Sequence, residues 1–268
     1  QGPGLEPALW VGVNFAKALS LAWQIPVIPI NHMEGHVMAA LAKSEDDRTF
    51  TVTPPPLPAL SLLISGGHTE LVLSKEWLSY EKIGATRDDA VGEAFDKSAR
   101  MLGIPYPGGP EISKLAQAAR EANIEQSYSL PRPMLHTDDY DFSFSGLKTA
   151  VRNTLAKDGE LTDEKKKSFA MELEDAITQV LVAKTQRAIE EFGIRTLIVS
   201  GGVSANTNIR TELAKMVAQY HNVTLHIPSH ALSTDNGVMI ALAAATKGGG
   251  THSTPLDNLS AKSNLELY

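Results

Sequence analysis

Two histidines four residues apart, in His32-Met33-Glu34-Gly35-His36, have the spacing at which side chains on an α-helix share one face and can ligate a single ion. An ion held in this way polarises carbonyl or phosphoryl oxygens and orients a substrate. The zincin motif His-Glu-x-x-His has the same spacing, with the Glu directly after the first His serving as general base. Here Glu34 lies two residues on, about 200° round a helix from His32 at 3.6 residues per turn, and points away from an ion held by the pair. A third ligand is expected near the other end of the chain. Ser233-Thr234-Asp235-Asn236-Gly237 sets Asp235 just ahead of a predicted helix, as either N-cap or ligand, and His230 is the competing donor. With no cysteine in the chain, imidazole and carboxylate are the donors available, and a His, His, Asp set with open positions favours a catalytic zinc or iron site over a sealed structural one.

A second pattern concerns the backbone. Leu-Leu-Ile-Ser-Gly-Gly at 62–67 and Leu-Ile-Val-Ser-Gly-Gly at 197–202 each end an apolar run in Ser-Gly-Gly. A strand that breaks there turns sharply with no Cβ in the way, so a phosphate or carbonyl oxygen can approach its N–H groups. Two such loops suggest a nucleotide held from two sides.

The elements that must position these groups follow from periodicity. Leu9, Val13, Ala16, Leu19 and Trp23 predict a helix over 5–23, Ile25-Pro26-Val27-Ile28-Pro29-Ile30 reads as a short buried strand, and a helix over 32–42 follows with Asn31 as N-cap. The stretch 43–58, charged and then proline-rich, can be neither helix nor inner strand and is the expected lobe boundary. Strands at 60–64 and 70–73 form a hairpin around the first Ser-Gly-Gly. A helix over 88–102 with Asp88 and Asp89 at its positive end, a turn at 106–110 and a helix over 111–122 come next. Helices over 146–155 and 163–192, a strand at 196–199, a helix, a strand at 223–227 and a last helix over 236–247 complete an α/β alternation. The expected division is 1–58, carrying the histidine helix, and 59–268, with a helical insertion over about 86–193.

The 268 residues suffice for one large domain or two modest lobes, and there is no apolar run of about eighteen residues to cross a bilayer. Absence of cysteine excludes disulfides and fits an intracellular, cytoplasmic setting. The chain opens on Gln1 and Gly-Pro-Gly-Leu without a charged-then-apolar leader, and reads as a fragment or processed chain. A net charge of −7 repels polyanions, so any nucleic-acid contact must be local or assisted. The local basic sites are Lys165-Lys166-Lys167, and Lys148 with Arg152 one helical turn apart.

With His-Met-Glu-Gly-His, the two Ser-Gly-Gly loops, Gly-Glu-Ala-Phe-Asp-Lys, Tyr-Pro-Gly-Gly-Pro and Ser-Thr-Asp-Asn-Gly in order, nearly the whole chain resembles the tRNA N(6)-adenosine threonylcarbamoyltransferase family of bacterial TsaD type. The resemblance implies the two-lobed α/β fold of the actin, sugar-kinase and heat-shock ATPase superfamily. It also implies transfer of a threonylcarbamoyl group from threonylcarbamoyl-AMP to the exocyclic amine of the adenosine after the anticodon. By the same resemblance His32, His36 and Asp235 hold one divalent ion, iron or zinc, and Ile64, Ser65, Gly66, Gly67, His68, Asp96, Gly109 and Asn206 contact the adenylate substrate. Taken alone, Asp96 would pair with Lys97 or Arg100, Gly109 would turn the chain and Asn206 would cap a helix. The implied partners are tRNA, with Lys148 and Arg152 as contacts, a TsaB-type paralogue and a TsaE-type ATPase; no membrane is involved. The family normally opens with a strand hairpin carrying a first phosphate loop, and this chain starts beyond it. Four residues after Gly109 the family often has a ligand-contacting Asp, where this chain has Ser113.

Three other readings stay open on sequence. A small-molecule kinase of the same fold needs the first phosphate loop and has no use for the paired histidines. A non-catalytic scaffold subunit has no use for three ligand positions. The older label of glycoprotein endopeptidase requires Glu34 to reach the ion.

Overall fold

The computed structural model describes residues 1–46, 49–157, 161–248 and 253–268. In chain order its elements are α1 (Glu6–Trp23), α2 (His32–Leu41), β1 (Ala42–Ser44), β2 (Phe50–Val52), β3 (Ala59–Ile64), β4 (Thr69–Ser74), β5 (Glu81–Ala85), α3 (Val91–Met101) and α4 (Gly108–Glu121). There follow α5 (Ser145–Lys157), α6 (Asp163–Phe192), β6 (Thr196–Ser200), α7 (Thr207–Val217), β7 (Thr224–His226), α8 (His230–Ser233) and α9 (Gly237–Thr246). They fall into two compact units, Gln1–Pro55 with Pro228–Tyr268, and Pro56–Ile227.

In the first unit α2 is buried along nearly its whole length, from Met33 to Leu41, against α9, which contributes Met239, Leu242 and Ala243. This contact is the reason residues 228–268 group with the chain start, rather than with the second lobe as the sequence division had them. The C-terminal segment is also laced to the N-terminus: Gly4 N–H donates to Ser263 O and Lys262 N–H to Gln1 O. Ile25–Ile30, expected as a buried strand, forms no ladder: Pro26 and Pro29 have no N–H to give, and Ile25 is exposed. Residues 42–52 instead supply a two-stranded antiparallel ribbon, β1 with β2. Helix α1 buries only Val13 and leaves Val11, Phe15 and Trp23 exposed.

The second unit is a five-stranded sheet in the order β5-β4-β3-β6-β7, antiparallel among β5, β4 and β3 and parallel among β3, β6 and β7. Every residue of β3 and β6 is buried, as strands covered on both faces must be. One continuous core runs from the sheet through α3 to α7, with Phe95, Phe142, Phe144 and Phe169 as its largest apolar members. The long α6 starts at Thr162, whose hydroxyl accepts from Lys165 N–H, and stops at Gly193 in the left-handed conformation. β5 has no counterpart in the sequence reading. Helix α3 begins at Val91, and the two aspartates ahead of it serve elsewhere. Asp88 accepts from the Phe144 and Ser145 amides and from the Ser143 and Ser145 hydroxyls, so it caps α5, while Asp89 pairs with Lys97 at 2.7 Å.

Candidate functional site

In the first unit Asn31 starts α2, its side chain accepting from the Met33 and Glu34 amides, and this fixes the phase at which His32 and His36 leave the helix. Asn236 caps α9 in the same way through Met239 N–H, which leaves Asp235, one residue earlier, free of the capping role. The three side chains converge. His32 Nε2 lies 3.3 Å and His36 Nε2 3.2 Å from Asp235 Oδ1, and the two rings meet edge to face at 4.8 Å between centroids. One donor atom from each residue falls within 4.8 Å of the others. The imidazoles, His32 first, hold the Asp235 carboxyl well below the usual carboxylate range, against the opposing effect of partial burial. His36 is 1% exposed, and its Nε2 makes no aligned hydrogen bond although the carboxylate is close. A buried imidazole nitrogen 3.2 Å from a carboxylate oxygen, beside a second imidazole, fits an N, N, O donor set for zinc or iron. His230 opens the short α8, is exposed, and is not in the cluster.

Glu34 is buried on α2, and its Oε2 lies 2.6 Å from Lys247 Nζ. The glutamate that a peptidase would need as base is thus engaged by a cation away from the imidazoles.

In the second unit the two Ser-Gly-Gly loops leave the ends of adjacent parallel strands: β3 pairs with β6 in the register Leu63 with Ser200, so both loops emerge at the same end of the sheet. They stand side by side in one unit. Gly201 sits at φ +92°, and a Cβ there would lie 2.4 Å from Ile64 O. By contrast a Cβ on Gly66, Gly67 or Gly202 would meet nothing within 4 Å, so the loops leave open space beside those positions. Ser65 Oγ accepts from the Gly67 and His68 amides, and Ser65 O accepts from Gly92 N–H in the first turn of α3.

Asp96 on α3 pairs with neither Lys97 nor Arg100. Its Oδ1 accepts from Gly108 and Gly109 N–H at 2.7 and 3.1 Å and so pins the start of α4. Asn206 caps α7 through Ile209 N–H, while its Nδ2 donates to Glu174 Oε1 at 2.6 Å and Ser113 Oγ at 3.3 Å. Sequence reasoning missed Glu174, which is fully buried and also receives Arg120. Its only sequence signal is a charge on the inner face of α6. Beside this network a cavity of about 540 Å³ is lined by Ser113, Gln117, Arg120, Glu174, Thr178 and Asn208, among others. Loop, α3, α4 and α7 are therefore linked by direct contacts. Lys148 and Arg152 lie on α5, which carries no acidic residue.

Comparison with known proteins gives the family and the fold. A family model described as TsaD, tRNA N6-adenosine threonylcarbamoyltransferase, matches residues 1–242. A protein of Burkholderia ambifaria bearing that name is 46% identical over 255 residues, covering 93% of this chain and 70% of its own length. One from Burkholderia pseudomallei is 47% identical over 253 residues, covering 92% of this chain and 69% of its own. Among solved structures, HypF of T. kodakarensis matches with TM-score 0.59 at 12% identity, and full-length HypF in a phosphate- and nucleotide-bound form with 0.57 at 14%. These cover 88% and 84% of this chain but only 38% and 44% of the solved chains, and show a shared fold.

Proposed function

The chain belongs to the tRNA N6-adenosine threonylcarbamoyltransferase family, and from that membership we propose how its own residues carry out the transfer of a threonylcarbamoyl group from threonylcarbamoyl-AMP to the N6 amine of the adenosine following the anticodon. The amine attacks the carbonyl carbon of the mixed anhydride, a C–N bond forms, the C–O bond to phosphate breaks, adenylate leaves, and the amine gives up a proton. The lone pair of an adenine amine is delocalised into the ring, so the acceleration has to come from the electrophile and leaving-group side. Charge grows on the carbonyl and phosphate oxygens, and fixed donors aimed there stabilise it.

The donors available are the N–H groups of Gly66, Gly201 and Gly202, with those of Gly67 and His68 held by Ser65 Oγ. One well-placed donor of this kind contributes about 3 kcal/mol to the barrier. Ile64 and Ser65 carry the loop, and Asp96, by accepting from Gly108 and Gly109 N–H, fixes the start of α4 beside it. Asn206 is oriented by Glu174, itself a wall of the cavity that takes the adenosine portion, where Ser113, Gln117, Thr178 and Asn208 offer amides and hydroxyls to a ribose and a purine edge beside charged neighbours. Ser113 makes that contact uncharged. His32, His36 and Asp235 hold one divalent ion, zinc or iron, which when bound supplies Lewis acidity and orients oxygen ligands.

The observation that carries the metal part of this reading is the convergence of those three side chains from α2 and the start of α9. tRNA reaches the chain with help from a TsaB-type paralogue and a TsaE-type ATPase, in keeping with the net charge of −7. Among the described residues no helix is long and apolar enough to cross a membrane, and we place the enzyme in the cytoplasm. The test of the activity is nucleoside mass spectrometry on tRNA incubated with this chain, its partners and threonylcarbamoyl-AMP. Appearance of threonylcarbamoyladenosine is expected, and unmodified tRNA after full consumption of the adenylate would overturn the reading.

On tRNA, Lys148 and Arg152 form the phosphate contact on α5. Lys148→Glu should weaken tRNA binding and lower the slope of log affinity against log salt by about 1. An unchanged slope would remove α5 from the interface.

A further inference from the structure

Helix α2 crosses α9 at Gly35, where a Cβ would lie 3.1 Å from Ile240 Cδ1 and 3.2 Å from Met239 Cγ. The absence of a side chain lets the two helices approach closely there, and the contact acts as a pivot. On one side of it, His32 and His36 meet Asp235 at the start of α9; on the other, Glu34 meets Lys247 at the end of the same helix. Two polar clasps thus tie opposite ends of α9 to one short stretch of α2. A rotation of α9 about Gly35 that opened one clasp would shift the other.

We infer that Lys247 is a positioning residue for the His32, His36 and Asp235 centre: its ion pair with Glu34 fixes the angle of α9 on α2 and so the distance from the Asp235 carboxylate to the two imidazoles. This rests on the metal reading given above. Glu34 is buried and Lys247 Nζ is 2.6 Å away, so rotation of α9 would leave a buried carboxylate without its cation, a cost that opposes the movement. The arrangement also accounts for a carboxylate between the two histidines that does not join them.

The experiment measures Zn²⁺ and Co²⁺ affinity of the purified full chain by chelator competition, with thermal unfolding of the metal-free form alongside. Wild type should bind one ion, and His36→Ala should not; failure of either result sinks the metal reading and Lys247 with it. Lys247→Met should weaken metal binding by about tenfold, the scale typical of residues that orient ligands, and Lys247→Arg should restore most of it. Lys247→Met also strands a buried carboxylate, so its loss of affinity alone does not separate positioning from general destabilisation. The double variant Glu34→Gln with Lys247→Met removes that charge. Metal-free stability should return toward wild type in it while metal affinity stays about tenfold weak. Recovery of affinity together with stability, or a Lys247→Met chain that binds like wild type, would overturn the assignment.

Discussion

Replacing His32 by alanine will leave the chain unable to retain an ion through dialysis and will slow transfer by about 100-fold or more, the rate equivalent of the several kcal/mol a Lewis acid supplies. His32 is the better test than His36. Its side chain is 29% exposed against 1% for His36, so its removal opens no void in the packed face of α2. Asp235 would keep one imidazole neighbour at 3.2 Å, and the folded first unit should survive. Metal content by elemental analysis and product by nucleoside mass spectrometry are read on the same preparation. A His32→Ala protein that holds its ion and transfers at the wild-type rate refutes the metal centre. One that loses the ion but transfers normally refutes its part in the reaction alone.

The largest stability effect is expected at Gly201. An alanine there must place its Cβ 2.4 Å from Ile64 O and 2.9 Å from Ile64 C, both backbone atoms of the neighbouring strand, at a φ of +92° that side chains avoid. Overpacking and left-handed strain together predict a loss of about 2–4 kcal/mol, or a fall in unfolding temperature of about 5–15 °C. Gly202→Ala is the matched control: its Cβ meets nothing within 4 Å and its φ is not in the positive range, so stability should hold or rise slightly. Equal stability of the two variants by thermal unfolding would show that the loops do not press on one another as described.

The features readable in the sequence are those with local causes. Helical phase put His32 and His36 on one face and Asn31 announced the start of α2, whereas Asp235 read as either cap or ligand until the structure gave the capping role of α9 to Asn236. The Ser-Gly-Gly turns announced the strand ends. What was missed is non-local. Nothing within Ile25–Ile30 reveals that no neighbouring strand awaits it, and nothing within α9 says that its partner is α2, some two hundred residues earlier by the arithmetic of chain order. Asp88 was expected inside the first turn of a helix over 88–102, yet it lies ahead of α3 and caps α5, which the fold brings alongside. Asp96 looked like half of a surface ion pair because cations are its sequence neighbours, yet backbone amides at 108 and 109 claim it.

The second unit interrupts the first: the chain departs at Pro55 and comes back at Pro228. On a ribosome adding about 5–20 residues per second, His32 and His36 are therefore synthesised roughly 10–40 seconds before the carboxylate that joins them. A newborn chain arrested anywhere before Asp235 offers a bare imidazole pair with no anionic third donor. The three-donor set that the proposed centre needs is therefore incomplete until residue 235 has been made.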